Sequence, residues 1–166
     1  MIVIADTTPL HYLVLLNHAD ILRELYGRVI IPEAVFSELQ ADRTPARVRQ
    51  WIASCPDWLE VRRALVPQDL ALTELDPGER EAIALAETLR ADAVILDDKA
   101  ARREAERRNL RVIGTVRVLD DAAVAGLVDL PEALRRLLAA GFYLDPTLVE
   151  FLLDRHFQRI RGKPTT

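Results

Sequence analysis

The chain has 166 residues, with 22 Lys+Arg against 26 Asp+Glu for a formal net charge of −4, and half of it is hydrophobic. That hydrophobicity excludes a disordered chain, and no apolar run approaches the roughly 20 residues of a membrane span. The only cysteine, Cys55, excludes an internal disulfide and a cysteine-based zinc site. Composition is even, with no linker, repeat or low-complexity segment, so residues 1–160 are expected to form one domain and residues 161–166 a frayed tail. The opening MIVIADTTPL lacks the basic n-region of a signal peptide, so a cytoplasmic protein is expected. The mild acidic balance argues weakly against a non-specific nucleic-acid coat. It does not argue against an enzyme that handles nucleic acid through metal ions, because a metal site needs acids.

Met1 to Ala5 is a short β-branched run and predicts a buried strand. Thr7, Thr8 and Pro9 then turn into a helix, with Pro9 suited to its first turn. LHYLVLLNHADILRELYG predicts one or two helices ending at Gly27. Val29 to Ile31 is a second strand, and Pro32 opens a helix through Leu39. Residues 45–54 read as helix and Trp58 to Val61 as strand. Asp76-Pro77-Gly78 starts a helix over about Glu79 to Leu89, followed by a strand at Ala93 to Leu96. A strongly charged helix covers Lys99 to Arg108, Val112 and Ile113 form a strand, and Gly114-Thr115 turns into a helix through Gly126. Two further helices are expected between Pro131 and about His156, split by Gly141 to Asp145. Short apolar strands alternating with helices predict an α/β fold, with four or five parallel strands and helices on both faces.

In such sheets the reactive groups gather at the carboxyl ends of the strands. Asp6 directly follows the first strand, and Asp97 and Asp98 directly follow the strand at Ala93 to Leu96. Glu38 lies on the helix after the second strand, and Glu79 and Glu81 open the helix before residue 93. Brought together, these carboxylates would repel one another and need a cation. An all-oxygen set without a Cys or His group points to Mg²⁺ or Mn²⁺. Each acid also has an ordinary explanation. Asp6 would cap a helix, Glu38 would be a solvated charge, Glu79 and Glu81 would favour a helix dipole, and Asp97 or Asp98 would cap the charged helix. Their joint placement at strand ends favours the cluster. His11, His18 and His156 share no spacing, and Cys55 reads as a small buried hydrophobe. The run Arg102, Arg103, Arg107, Arg108 reads mainly as a solvated face. Lys99 and Arg102 are the better phosphate candidates, because they follow the acid pair closely.

The order of these motifs resembles the PIN-domain ribonucleases. ADTTPL, VFSEL around Glu38, PGEREAIALA at Glu79 and AVILDDKAARREAERRNLRVIGT carry the resemblance, which extends to GFYLDPTLVEFLL near the end. It is similar to the PIN-like branch of unknown function grouped with VapC-type toxins. The resemblance implies a three-layer α/β/α fold and metal-dependent cleavage of single-stranded RNA. It places Asp6 as the first family acid, Glu38 as the second, Glu79 as the third, and Asp97 or Asp98 as the fourth. Asp6, Glu79 and Asp97 or Asp98 would hold Mg²⁺ or Mn²⁺, and Thr7 or Thr8 would supply the hydroxyl that supports the first acid. Two departures stand out: the third position is Glu where many PIN toxins have Asp, with Glu81 close by, and the strand ends ILDD without a Thr before the last acid. PIN toxins usually form homodimers and are held inactive by a small antitoxin, so both partners are implied beside an RNA substrate. The apolar LHYLVLLNHADILRELY stretch would suit such a surface, although core packing is its main expectation. The competing reading is a non-catalytic PIN-like module that binds RNA or a protein. An aspartyl-phosphate enzyme fits less well, because Thr8 stands where a second Asp is needed.

Overall fold

The computed structural model describes residues 1–162, so residues 163–166 of the expected tail lie outside the described residues. Contacts divide the chain into two units, Met1–Thr115 and Val116–Thr166. The first unit holds the whole sheet. Its elements in order are β1 (Val3–Ala5), α1 (Thr7–Leu15), α2 (Ile21–Tyr26), β2 (Val29–Pro32), α3 (Glu33–Leu39), α4 (Ala46–Ala53), β3 (Leu59–Arg62), α5 (Leu70–Thr73), α6 (Pro77–Leu89), β4 (Ala93–Ile95), α7 (Lys99–Arg107) and β5 (Val112–Ile113). The fold is α/β, as expected, with a five-stranded sheet in the order β3-β2-β1-β4-β5 and every pairing parallel. The short helix α5 was not anticipated, because four residues carry no readable periodicity.

Strand character follows position in the sheet. β1, β2 and β4 are buried along their whole length, as parallel strands covered on both faces must be, and they read as unbroken apolar runs. The edge strand β3 instead carries Glu60 and Arg62, which pair with each other at 2.5 Å. Charges on an edge strand discourage pairing with another chain. Alternation places Ile4, Ile30 and Val94 on one face, where they pack with Ile83, Leu85 and Ala86 of α6 and Ala101 and Ala105 of α7. The α1–α2 stretch is mainly core, since Leu10, Leu13, Leu16 and Leu22 are all buried. Gly27 ends α2 at φ 78°, the left-handed region that glycine enters without strain.

The order of the strands creates the crevice. From β1 the chain builds outward through β2 to β3, and then returns to the other side of β1 to lay down β4 and β5. Connections therefore leave the neighbouring strands β1 and β4 in opposite directions, and ligands of open α/β sheets bind at such a point. Register brings Ala5 beside Ile95, and the Asp6 amide donates to the Ile95 carbonyl at 3.1 Å. Asp6 and Asp97 thus emerge from adjacent strands on the same edge.

The charged run on α7 departs from its expected solvation at Arg102, which is half-buried, and most of all at its last residue. Arg108 is only 10% exposed, and it is held by Asp69, Glu87 and Glu104 from three separate segments. Together with Arg80, which donates to the carbonyls of Leu72, Thr73 and Leu75, it ties the segment around α5 to α6 and α7.

The second unit is helical, with α8 (Thr115–Val124, begun by the last residue of the first unit), α9 (Leu130–Ala139) and α10 (Pro146–Arg161). Asp145 caps α10 through the Thr147 amide, and Pro146 occupies its first position. The helix runs through Arg161. Asp120 on α8 is 3% exposed and accepts from both Arg155 and Arg159 of α10. Burial alone would raise the Asp120 pKa, but the two arginines outweigh it and hold the carboxyl below its ordinary value of 3.8. A depressed acid stabilises the fold above its unfolded pKa, and that contribution is lost as pH falls through the folded value. Asp120→Asn should therefore cost about 1–2 kcal/mol at pH 7, a figure reduced from that of a fully buried pair because the arginines are partly exposed. In urea titrations the gap between variant and wild type should close as pH falls toward 3.

Candidate active site

Asp6 occupies the N-cap position of α1, yet its carboxylate makes no capping hydrogen bond to that helix. The contrast with other aspartates is direct. Asp69 accepts from Ala71, Asp98 from Ala100 and Ala101, and Asp145 from Thr147, each serving its own helix. Asp6 is 4% exposed, and its pKa is pushed up to about 8. Burial is the leading cause. The Thr7 backbone amide opposes it, while the charges of Glu79, Glu38 and Asp97 add to it. An acid buried among three other acids is poorly explained as a cap.

The other acids converge from different elements. Glu38 on α3 accepts the Thr7 hydroxyl on Oε2 and the Gly78 amide on Oε1 at 3.0 Å. Thr7 therefore supports the second acid, whereas the resemblance assigned its hydroxyl to the first. Glu79 on α6 accepts from the Asp76 amide at 3.2 Å. Burial raises its pKa to about 7, offset by that amide and reinforced by Asp98, Asp76 and Glu38. Asp97, just past β4, accepts the amide and the hydroxyl of Thr115. Burial raises its pKa as well, while the two Thr115 donors and the Arg102 charge pull it down.

The members of the two ambiguous pairs are held differently. Asp97 is the member of the pair whose charge reaches Asp6, while Asp98 is exposed, caps α7 and acts on Glu79. Glu81 accepts the Ala34 amide at 2.9 Å and so fastens α6, which carries Glu79, to the start of α3, which carries Glu38. Lys99 is exposed at the start of α7. Arg102 donates through Nη1 to the Leu96 carbonyl at 3.1 Å, which holds its guanidinium beside Asp97. Thr8 lies half-buried in the first turn of α1.

Glycine makes the crowding possible. A Cβ at Gly78 would lie 2.8 and 2.9 Å from the two Glu38 oxygens and 3.0 Å from Asp6 Oδ1. Both carboxylates thus approach one point above the α6 backbone. At Gly114 a Cβ would meet Arg102 Nη1 at 2.7 Å and Asp97 Oδ1 at 3.2 Å. Thr115, Gly78 and Gly114 were not singled out from the sequence as site residues. Applying the strand-end rule to β5 would have reached Gly114 and Thr115.

The donor chemistry fits a hard divalent cation: carboxylate oxygens gather around a deeply buried acid whose charge is disfavoured without a counter-ion. Among the described residues, no trio of His, Cys, Asp or Glu is already spaced to hold an ion. Glu38 and Asp97 instead have protein donors on both oxygens. A cavity of about 370 Å³, lined by Val14, Asn17, Asp20, Arg47 and Trp51 among others, lies at the far end of α1 from Asp6 and contains none of these acids.

Residues 2–157 match the family described as DUF3368, PIN domain. The chain belongs to this PIN-domain family. A PilT N-terminus domain protein of the hyperthermophilic archaeon Sulfolobus solfataricus P2 has a similar fold, with a TM-score of 0.52 and 17% sequence identity. That likeness covers 87% of this chain and 98% of the archaeal one. No curated protein matches the sequence. PIN domains are generally nucleases and generally use divalent metals. None of the described helices is long and apolar enough to cross a membrane.

The Gly78 geometry gives a specific expectation for this PIN domain. Ala is ordinarily about 1 kcal/mol better than Gly inside a helix. Gly78→Ala should forfeit that gain, because the new methyl must displace the Glu38 carboxylate from the Gly78 amide. Thermal melts should show no stabilisation, and nuclease assays should show a loss at least as large as that of Glu38→Gln.

Proposed function

We propose that this PIN domain is a Mg²⁺- or Mn²⁺-dependent endoribonuclease that cleaves single-stranded RNA, and that it is the toxin of a type II toxin–antitoxin pair in the cytoplasm. The observation that carries the nuclease reading is Asp6: a buried acid at the point where strand connections diverge, capping nothing and surrounded by Glu38, Glu79 and Asp97. Asp6, Glu79 and Asp97 would hold the ion, with Asp98 beside Glu79 as a further ligand. When bound, such an ion supplies an activated water and steadies the charge on a phosphodiester during displacement.

The chain's own groups divide the remaining work. Glu38, fixed by Thr7 and Gly78, orients the attacking water and takes its proton. Arg102 spends one nitrogen on the Leu96 carbonyl, which presents the rest of its guanidinium to non-bridging phosphate oxygens. Lys99 extends that positive charge along the start of α7, and Thr8, half-buried in the first turn of α1, would add a hydroxyl for the substrate. RNA as substrate, a second copy of the chain and a small antitoxin follow from the toxin branch that the motifs resemble.

A second reading, a non-catalytic PIN module that binds RNA or a protein, draws support from the acids being satisfied by protein donors rather than gathered for an ion. One experiment separates the two. Purified wild type should cleave single-stranded RNA with added Mn²⁺, and Asp6→Asn should reduce cleavage at least about a hundredfold. That factor corresponds to losing roughly 3 kcal/mol of the charge stabilisation an ion provides. Asp6→Asn should also melt no lower than wild type without metal, since at pH 7 a carboxyl with a pKa of about 8 is mostly protonated and the amide replaces a group that is already neutral. Undiminished cleavage by Asp6→Asn would sink the assignment of the site. No cleavage and no stoichiometric Mn²⁺ binding by wild type would leave the binding-module reading.

A further inference from the structure

Asp97 is held unlike the other acids. Its Oδ1 accepts the Thr115 amide at 2.9 Å, and its Oδ2 accepts the Thr115 hydroxyl at 2.5 Å. A single residue therefore grips both oxygens and fixes the plane of the carboxylate. Thr115 is fully buried and is the first residue of α8, so its amide is one that the helix itself cannot pair. The grip is anchored in the sheet. The Leu96 amide donates to the Ile113 carbonyl at 2.9 Å, and that bond sets the turn carrying Thr115 against the turn carrying Asp97. Gly114 supplies the clearance, since a Cβ there would crowd Asp97 Oδ1 and Arg102.

We infer that Thr115 is a positioning residue that aims Asp97 across the β1/β4 junction at the cation site it shares with Asp6. The inference rests on the cation reading of the preceding subsection. Its physical basis is preorganisation: a ligand carboxylate locked by partners behind it loses less freedom on binding an ion. Loss of such a supporting partner typically weakens metal binding 10–100-fold. Thr7 and the Gly78 amide hold Glu38 with the same pairing of donors, one hydroxyl and one amide. In Asp97 both come from one residue, so one substitution tests the device.

Calorimetric titration of Mn²⁺ into metal-free wild type, Thr115→Val and Thr115→Ser, each below its melting temperature, provides that test. Valine keeps the shape and the amide but removes the hydroxyl, whereas serine keeps both donors. Thr115→Val should weaken Mn²⁺ binding about 10–100-fold, and Thr115→Ser should bind as wild type does. If valine prevents folding, Thr115→Ala takes its place with the same expectation. Unchanged Mn²⁺ affinity in the folded hydroxyl-free variant, even with a lowered melting temperature, would overturn the inference and leave the nuclease reading standing. Equal weakening in Thr115→Ser would overturn it too, because the hydroxyl would then not be the cause. Failure of wild type to bind Mn²⁺ would overturn the nuclease reading, and this inference with it.

Discussion

The structure turns on one costly placement, a carboxyl group buried just past the end of β1 and beside β4. Asp6 is almost without solvent, and its pKa is about 8 because burial and three neighbouring acids all disfavour its charge. Buried charge is tolerated where it is paired or binds a metal. The parallel sheet forces the proximity, since β1 and β4 are hydrogen-bonded neighbours whose next residues leave the same edge. A sheet laid down in simple sequential order would have left β1 at an edge, with β2 and β3 between it and β4, and so separated Asp6 from Asp97.

The surrounding contacts hold the crowded acids without neutralising them. Glu38 and Asp97 each receive one hydroxyl and one amide, and both acceptor atoms of each are engaged. Two glycines leave the space in which those donors and acceptors meet. Apart from the Thr7 amide, the groups that act on Asp6 are all acids, and the Arg102 guanidinium acts on Asp97 instead. The result is a negative crevice with rigid walls and a central acid still in need of positive charge. The crevice differs in this from the Asp120 cluster of the second unit. There two arginines satisfy the acid and lower its pKa.

Much of this was legible in the chain because parallel strands announce themselves as short unbroken apolar runs, and an acid directly after such a run is easily found. Asp6, Asp97 and Asp98 were found by that rule. Choosing between Asp97 and Asp98 was beyond it. The Leu96 amide extends the sheet by one residue, which makes Asp97 the first group past the edge and leaves Asp98 as the cap of α7. Glu79 and Glu81 stand two positions apart on a helix and so face different sides. Which side meets α3 depends on packing, and it is Glu81 that binds the Ala34 amide. Arg108 looked solvated because Asp69 and Glu87 are distant in sequence. Thr115 was passed over because β5 has only two residues and a Gly-Thr after it reads as an ordinary turn.

The net charge of −4 also changes meaning once the acids are placed. As a total it counted mildly against a polyanionic partner. By location, Asp6, Glu38, Glu79 and Asp97 face one crevice, where a divalent cation would reverse the local sign of the potential. Arg102, fixed on the Leu96 carbonyl, and the exposed Lys99 stand on the first turn of α7 beside the acid pair, where they would offer positive charge to an incoming phosphate. A protein with a negative total can therefore present a positive approach to its own site, provided that the ion is bound first. On the proposed reading, affinity for a polyanion would be contingent on the cation, and the buried acid at the end of β1 would set the order of binding.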